Sequence, residues 1–355
     1  MSSEATTPPA APKPGKTPAL NRLSLEMKAY KGADSTLCSG CGHDSITNAI
    51  IKSFYEYGVE PHRVAKLSGI GCSSKTTAYF LSRSHGFNSV HGRMAAVATG
   101  SNVANHTLIN IGVSGDGDTA SIGLGHFLHM VRRNPQIVYL VENNGCYGLT
   151  KGQFSATADK GSLQKGGAVN RMEPIDICAL AIEMGCGFVA RSFSGDAKQL
   201  NQLLKAAIAH KGTALIDVVS PCVTFNNHEG STKSYPYAKE HEELIQEVGF
   251  VPFFEEIAVD YDPGTTQVVE LHDHSKVVLK KLERDYDPTN RQQALQLLSH
   301  AQEKQLFLTG LVYLDPSMPS MAEQLDLVPE PLATLPAAKL RPSPKALAEI
   351  METFK

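Results

Sequence analysis

Short apolar runs rich in β-branched residues alternate with longer amphipathic segments from about Asp34 to Ser220. This alternation predicts a mostly parallel sheet with helices on both faces, because strands separated by helical segments are typical of βαβ units. Candidate strands run from Val64 to Ser68, from Phe188 to Arg191 and from Ala214 to Ser220. We therefore expect an α/β domain over residues 31–250.

The best-defined βαβ unit lies between Leu108 and Glu142. The run INIGVSGDGD predicts a strand that ends in a Gly-rich loop, TASIGLGHFLHMVRRN predicts a helix, and QIVYLVE predicts the next strand. Pro135 ends the helix, because the residue before a proline is disfavoured in helical geometry. The two strands are expected to end side by side at one edge of the sheet.

Both ends of the chain differ in composition from the middle. Residues 1–20 contain five prolines among Ala, Thr, Ser and Lys, and we expect a flexible tail over residues 1–30. After about Val251, the run TQVVELHDHSKVVLKKL predicts a hairpin with its turn near His272 to Ser275, and a helix follows from about Asn290. Residues 251–355 are expected to form a C-terminal extension, whose last segment, PKALAEIMETF, predicts a short helix that docks on the body or on a partner.

Composition narrows the function classes. The chain has 42% hydrophobic and 19% charged residues and a formal net charge of −3, so it shows no bias toward nucleic-acid binding. No apolar run is long enough for a membrane span and no secretory signal is visible, which predicts a cytoplasmic protein. Cytoplasmic thiols stay reduced. The seven cysteines are therefore expected to be ligands or buried apolar residues, and Cys178 and Cys186, in an apolar segment, fit the second role.

The run Gly115-Asp116-Gly117-Asp118 follows a predicted strand and begins a predicted helix. Backbone N–H groups at such a position favour a phosphate, and the Asp116 carboxylate then requires a divalent cation between itself and that phosphate. The next strand ends in Glu142-Asn143-Asn144-Gly145, which would add neutral oxygen ligands beside this loop. A Rossmann dinucleotide site, with Glu142 as its acidic residue, is the alternative; it is disfavoured because Asp116 would face the pyrophosphate directly.

Four cysteines are placed to converge on one centre. Cys38 and Cys41 form a C-x2-C turn, whereas Cys72 and Cys222 follow predicted strands. Four thiolates fit a 4Fe-4S cluster, and a zinc ion satisfies the same ligand count. The spacing alone does not choose between these centres.

The order of motifs along residues 35–250 carries a family resemblance. The motifs are CSGCGHD, GIGCSSKT, HGRMAAVATG, GDGD…NN, YGLTKGQ and SPCVTFNNHEGSTKSY. In this order they closely resemble the β subunits of 2-oxoacid:ferredoxin oxidoreductases. The resemblance implies a thiamine-diphosphate-binding fold and oxidative decarboxylation of a 2-oxoacid with coenzyme A to acyl-CoA and CO2, with ferredoxin as electron acceptor. It also implies an (αβ)2 assembly, in which the α subunit supplies the glutamate that contacts the aminopyrimidine of thiamine.

The resemblance also implies roles for individual residues. The cluster ligands are Cys38, Cys41, Cys72 and Cys222, and the Mg²⁺ ligands are Asp116, Asn144 and the carbonyl of Cys146. Lys75 would lie near the substrate carboxylate, and Leu149 would line the substrate pocket. The alternatives are a solvated helix lysine at Lys75 and ordinary core packing at Leu149.

Two histidines lie close to these motifs. His43 follows the C-x2-C turn after Gly42, and His91 opens the run HGR before an apolar helix. Because neutral imidazole donates well to phosphate or to a developing oxyanion, we expect both near the cofactor, His91 in a catalytic role and His43 with Gly42 in cofactor binding. A core histidine with satisfied hydrogen bonds is the alternative at either position.

Several functional alternatives remain open from the sequence. Within the family that the chain resembles, Lys75, the KSY run and the hairpin extension favour 2-oxoglutarate or broad 2-oxoacid use, with pyruvate as the alternative substrate. A non-redox thiamine decarboxylase subunit would retain GDGD…NN but would have no use for four converging cysteines. A four-cysteine zinc interaction module would leave GDGD…NN without a role.

Overall fold

The computed structural model describes residues 19–164, 167–220, 222–225, 259, 261–270, 276–281, 286–304 and 307–355. The first 18 residues of the predicted tail, the KSY run and the predicted hairpin turn at 272–275 lie outside these ranges. Residues 19–30 differ from the predicted flexible tail. Tyr30 is fully buried, its hydroxyl accepts a 2.8 Å hydrogen bond from Asn21, and Tyr55 donates to the carbonyl of Ala19. This segment is thus part of the folded domain. Buried Tyr30 holds it in place, and the sequence pattern did not predict this because the residues around Tyr30 are mostly polar.

Nine strands of the described chain form one sheet in the order β2-β1-β3-β4-β8-β7-β11-β10-β9. Neighbours from β2 to β7 are parallel, whereas β11 is antiparallel to β7 and β9 is antiparallel to β10. The strands are β1 Val64–Ser68, β2 His85–Asn88, β3 Ile109–Gly115, β4 Ile137–Asn143, β7 Phe188–Phe193, β8 Thr213–Val219, β9 Thr266–Glu270, β10 Lys276–Lys281 and β11 Phe307–Leu314. A separate two-stranded ribbon pairs β5 Cys146–Tyr147 with β6 Gln153–Phe154.

Helices cover both faces of the sheet, as the sequence pattern predicts. The described helices are α1 Gly42–Tyr57, α2 Ser73–Tyr79, α3 Met94–Ala104, α4 Leu124–Arg133, α5 Ile177–Glu183, α6 Ala197–Ala209, α7 Arg291–Glu303, α8 Met321–Gln324, α9 Ala337–Leu340 and α10 Pro344–Glu352. Apolar residues of α1 and α6 form one core with the sheet, and those of α3, α4, α5 and α7 form the core on its other face. The central strands are buried along nearly their whole length, because both of their faces are covered.

Two features of the fold differ from the sequence-based expectation. The predicted helix after GDGD is divided into a π-helical turn, Gly117–Ile122, and α4, because Gly123 packs directly against the backbone of Gly92. The predicted C-terminal extension is continuous with the main sheet. Strand β11 pairs with β7, and the hairpin β9–β10 adds two more strands on the other side of β11. Strands β2, β5 and β6 are too short to produce a clear sequence pattern.

The parallel strands bring their carboxyl ends to one edge of the sheet. Strands β1, β3, β4 and β8 are neighbours there, and Gly115 at the end of β3 pairs with Glu142 near the end of β4. This edge is where open α/β sheets bind cofactors. Within the described residues, no helix has the length and apolar character needed to cross a lipid bilayer.

Candidate cofactor site

The loop after β3 is shaped by a glycine that no other residue can replace without rearrangement. A Cβ added at Gly117 would lie 2.5 Å from Cε1 and 2.6 Å from Cζ of the Tyr147 ring. The Tyr147 hydroxyl also donates a 3.0 Å hydrogen bond to the carbonyl of Gly117. The loop and the ribbon strand β5 are therefore packed together, which fixes the backbone of the predicted phosphate site.

Asp116, in the same loop, is 1% exposed and accepts hydrogen bonds from two hydroxyls of the segment after β6. Ser155 and Thr157 both donate to Oδ2, the second over 2.5 Å. A buried carboxylate requires such donors or a cation, because an unpaired charge is costly inside a protein. Sequence reasoning missed both hydroxyls, since the loop that carries them has no regular periodicity.

The other predicted magnesium ligands lie at the end of β4, the strand next to β3. Asn144 is buried, and its Oδ1 accepts a 3.1 Å hydrogen bond from the N–H of Cys146 across a turn in which Gly145 has a φ of 71°. Together with Asp116, these residues offer carboxylate, amide and carbonyl oxygens, which are the ligand types that Mg²⁺ prefers. The donor set fits the predicted metal.

Asp118 is held by the protein through both of its carboxylate oxygens, although the sequence predicted contact with the cofactor. Oδ1 accepts from the N–H of Gly92 over 2.7 Å, and Oδ2 accepts from the Ser114 hydroxyl over 3.1 Å. Asp118 therefore fastens the turn containing Gly92 to the predicted phosphate loop. His91, in this turn, is exposed at the same edge of the sheet.

One buried hydroxyl at the loop has no hydrogen-bond partner within the described residues. It belongs to Ser73, at the start of α2, and it lies 3.3 Å from the position that a Cβ would take at Gly115. Leaving a buried hydroxyl unsatisfied costs about 1–3 kcal/mol. A phosphate oxygen at this loop would give the Ser73 hydroxyl an acceptor, so the orphaned group fits a diphosphate. In the sequence this hydroxyl belongs to the SSK run after Cys72, for which only the lysine, Lys75, is predicted to have a role.

Cys72 and Cys222, two of the four predicted cluster cysteines, lie close to each other beside this loop. A Cβ added at Gly148 would lie 3.5 Å from Sγ of both Cys72 and Cys222. Burial, together with the nearby Cys222 and Cys38 thiols, raises the pKa of the Cys72 thiol to about 11. Burial also raises the pKa of Cys41, with Cys222 again contributing.

With their raised pKa values, Cys41 and Cys72 resist becoming thiolates unless a positively charged centre binds them. Metal and cluster ligation supplies such a centre, because it requires and stabilises the deprotonated ligands. Among the residues that the structure describes, no three His, Cys, Asp or Glu side chains are gathered closely enough to hold a single metal ion. Cys178 and Cys186 lie elsewhere and are fully buried, as expected for structural cysteines.

His43 is buried two residues after Cys41 in the sequence, and Gly42 between them is partly buried. Nδ1 of His43 is 2.8 Å from the Ser220 hydroxyl, and Nε2 is 3.5 Å from Oε2 of Glu142. Burial lowers the pKa of His43 to about 4 and raises that of Glu142 well above its usual range. A Cβ on Gly42 would lie 2.7 Å from the Ser220 hydroxyl. Both residues therefore pack against protein groups, which matches the alternative of a satisfied core histidine.

Lys75 and Leu149 border the same region. Lys75 is half-buried on α2, close enough to Cys72 for its positive charge to lower the pKa of that thiol. Leu149 is 51% exposed, so core packing within this chain does not account for it. Both side chains are available at the edge of the sheet where the predicted cofactors would bind.

Comparisons with known proteins agree with this arrangement. A family described as "Thiamine pyrophosphate enzyme, C-terminal TPP binding domain" matches residues 69–218. The chain is 38% identical over 256 residues to the 2-oxoacid:ferredoxin oxidoreductase subunit beta of a Sulfolobus species, covering 72% of this chain and 79% of that protein. It is 37% identical over 223 residues to the 2-oxoglutarate oxidoreductase subunit KorB of Mycobacterium tuberculosis, covering 60% of this chain and 59% of that protein.

A solved structure gives the same result at the level of the fold. It is the 2-oxoglutarate:ferredoxin oxidoreductase from Magnetococcus marinus with 2-oxoglutarate, coenzyme A and succinyl-CoA bound. The match has a TM-score of 0.70 and 27% sequence identity, and it covers 93% of this chain and 96% of that chain. The likeness thus extends over the main sheet and both layers of helices.

Proposed function

We propose that this chain, which belongs to the family of 2-oxoacid:ferredoxin oxidoreductase β subunits, acts with an α subunit to oxidise 2-oxoglutarate. In the proposed reaction the 2-oxoacid loses its carboxylate as CO2, and coenzyme A takes the acyl group as a thioester. The two electrons released leave one at a time to two ferredoxin molecules, and one proton is released. With 2-oxoglutarate the acyl product is succinyl-CoA.

One observation supports this function above the others: the short segment from Cys146 to Gly148 borders both candidate centres. Cys146 lies at the predicted magnesium site, and a Cβ on Gly148 would contact Sγ of Cys72 and of Cys222. A decarboxylase without redox chemistry would have no reason to gather thiols beside its cofactor loop. A zinc module would have no reason to retain a buried Asp116 in a diphosphate loop.

The thiamine-binding domain supplies the residues that would hold the cofactor. Bound thiamine diphosphate would provide the carbanion-stabilising chemistry that decarboxylation requires. Asp116, Asn144 and the carbonyl of Cys146 would hold Mg²⁺ against the diphosphate, and the Ser73 hydroxyl would donate to a phosphate oxygen. Ser155 and Thr157 keep the Asp116 carboxylate oriented for this task.

The thiols of Cys38, Cys41, Cys72 and Cys222 would hold one 4Fe-4S cluster. Such a cluster supplies a one-electron carrier, which the acceptor ferredoxin needs. Cys38 and Cys41 lie on one turn, Cys72 directly precedes α2, and Cys222 follows β8, so all four come from segments at the sheet edge that carries the cofactor loop. The distance between the two centres is thereby set by the fold.

Charge and exposure at the candidate site favour 2-oxoglutarate as the substrate. 2-Oxoglutarate carries a second carboxylate, and Lys75 places a positive charge beside Cys72 at the candidate site. Leu149, exposed on the segment after Cys146, would form a wall of the pocket. Pyruvate, which lacks the second carboxylate, is the alternative substrate.

The α subunit is expected at the same edge of the sheet. Large apolar side chains are exposed around the candidate site, at Phe87, Val90, Ile122 and Leu149. Exposed apolar groups that surround a site are typical of a surface covered by a partner. We propose an (αβ)2 assembly in which the α subunit closes the site and contacts the aminopyrimidine of thiamine.

The test is an assay of the complex purified with its α subunit under anaerobic conditions. Reduction of ferredoxin should require both coenzyme A and a 2-oxoacid, with a higher kcat/KM for 2-oxoglutarate than for pyruvate. A complex that contains thiamine diphosphate and iron but reduces no acceptor with either acid would contradict the proposal. If ferredoxin is reduced with pyruvate and coenzyme A but not with 2-oxoglutarate and coenzyme A, the substrate is pyruvate.

A further inference from the structure

A buried cluster of polar side chains lies behind the four thiols and has no role in the reaction described so far. It consists of His43, Thr76, Glu142 and Ser220, each at most 1% exposed. Burying polar groups is unfavourable unless they satisfy each other. Their presence here, where apolar residues would pack at lower cost, requires an explanation.

The four side chains form one connected set of contacts. Nδ1 of His43 is 2.8 Å from the Ser220 hydroxyl, and its Nε2 is 3.5 Å from Oε2 of Glu142. The Thr76 hydroxyl is 3.1 Å from each carboxyl oxygen of Glu142 and donates to that group. Every member thus contacts at least one other member.

Each member belongs to a different segment of the candidate site. His43 lies two residues after Cys41, Thr76 four residues after Cys72, and Ser220 two residues before Cys222. Glu142 lies on β4, two residues before Asn144. The contacts therefore join the three cysteine-bearing segments to one another and to the strand that carries a predicted magnesium ligand.

We propose that His43, Thr76, Glu142 and Ser220 form a polar brace that fixes the spacing of the cluster thiols. The inference rests on the proposed function, since it concerns the cluster that Cys38, Cys41, Cys72 and Cys222 would hold. The members act as positioning residues, through their contacts with one another. By holding the thiols before the cluster is inserted, the brace lowers the ordering cost of ligation, and afterwards it slows release of iron.

Packing around the brace leaves little room for an alternative arrangement. A Cβ on Gly42 would lie 2.5 Å from the Ser194 hydroxyl and 2.7 Å from the Ser220 hydroxyl, so the start of α1 is pressed against the ends of β7 and β8. The Thr47 hydroxyl donates over 2.9 Å to the carbonyl of His43, which holds this first turn of α1. The brace is therefore a rigid element, and the loss of one of its contacts should change the spacing of the thiols.

The experiment compares variants in the anaerobically purified complex with its α subunit. Thr76→Val keeps the shape of the side chain and removes the donor to Glu142, whereas Thr76→Ser keeps the donor. Ser220→Ala removes the partner of His43. The control is Ser53→Ala, which deletes an equally buried hydroxyl of α1 that donates to Ala49 over 2.7 Å, about 18 Å along the helix from Cys41.

Three quantities are measured: iron per complex, the rate of iron transfer to an external chelator, and the thermal unfolding midpoint. Thr76→Val and Ser220→Ala should release iron about tenfold faster than the parent, the effect expected from one lost buried hydrogen bond. Thr76→Ser should release iron at close to the parental rate. Ser53→Ala should lower the unfolding midpoint without changing the release rate.

Iron release that follows the unfolding midpoint equally in all four variants would overturn the brace, because that is the behaviour of ordinary structural residues. If the complex with Thr76→Val does not assemble, the iron-release rate of Ser220→Ala tests the brace, because this variant removes only one oxygen atom next to the end of β8. A parental complex without iron-sulfur cluster would instead overturn the cluster in the proposed function. The two failures are therefore distinguishable before any variant is made.

Discussion

Replacing Gly117 by alanine should disrupt cofactor binding without unfolding the domain. The new Cβ would lie 2.5 Å from Cε1 and 2.6 Å from Cζ of Tyr147, about 0.9–1.5 Å inside the favourable carbon-carbon separation of about 3.5–4.0 Å. Relief requires the ring to move, which breaks the 3.0 Å hydrogen bond from the Tyr147 hydroxyl to the Gly117 carbonyl. Overpacking of this kind costs about 1–3 kcal/mol.

If the displaced loop is the diphosphate site, this overpacking cost makes the free energy of cofactor binding less favourable by the same amount. We expect Gly117→Ala to weaken thiamine diphosphate binding by about 5- to 150-fold, the range that about 1–3 kcal/mol implies. The matched control is Gly125→Ala, on α4, where an added Cβ meets nothing within 4 Å. Isothermal titration of the complex at saturating Mg²⁺ measures both affinities.

A rescue variant separates the steric cause from a general defect. Removing the ring in Gly117→Ala/Tyr147→Ala should restore part of the lost affinity, because the colliding atoms are gone. If Gly117→Ala binds thiamine diphosphate as tightly as Gly125→Ala does, the loop is not the diphosphate site and the reasoning is refuted.

Three further predictions concern the remaining parts of the site. Cys72→Ser should abolish ferredoxin reduction while titration calorimetry still detects thiamine diphosphate binding; electron transfer at the parental rate would contradict the cluster assignment. Thr157→Val, which removes the 2.5 Å donor to Asp116, should raise the Mg²⁺ concentration needed for thiamine diphosphate binding by about 10- to 100-fold. The exposed Thr150→Val serves as its control, and an equal response of both variants would argue against a positioning role. Lys75→Met should raise the KM for 2-oxoglutarate and leave that for pyruvate nearly unchanged; equal changes for both acids would remove the charge argument.

The sequence predicted those parts of the site that follow from local pattern. A buried strand, a Gly-rich loop, a helix and a second strand are enough to place Asp116 and Asn144 on neighbouring strand ends, because parallel βαβ connections leave few alternatives. The C-x2-C turn and the strand-end positions of Cys72 and Cys222 likewise predicted thiols at the same edge. The mostly parallel sheet with helices on both faces is confirmed.

Contacts between residues far apart in sequence could not be predicted in this way. Ser220 lies 177 residues from His43, and no periodicity relates the two. Ser155 and Thr157 reach Asp116 from a loop whose course depends on tertiary packing. The sequence predicts Asp118 and His43 near the cofactor, but their protein partners, Gly92 and Ser220 among them, become visible only in the fold.

The C-terminal region shows a second limit. Its alternating pattern predicted a hairpin, which is present as β9 and β10, but the pattern carries no information on which sheet edge accepts it. In the structure β11 pairs antiparallel with β7, so the region extends the main sheet. The helix α10 is exposed along its length, with Leu347, Ile350 and Met351 in contact with solvent.

The central claim is that a 2-oxoacid delivers electrons to a cluster held by Cys38, Cys41, Cys72 and Cys222. The most direct measurement is electron paramagnetic resonance of the anaerobically purified complex, mixed separately with 2-oxoglutarate and with pyruvate, with and without coenzyme A. We predict the signal of a reduced 4Fe-4S cluster when 2-oxoglutarate and coenzyme A are both present, and its loss in Cys72→Ser. A complex that releases CO2 from 2-oxoglutarate but contains no iron, or whose cluster stays oxidised throughout, would contradict the claim.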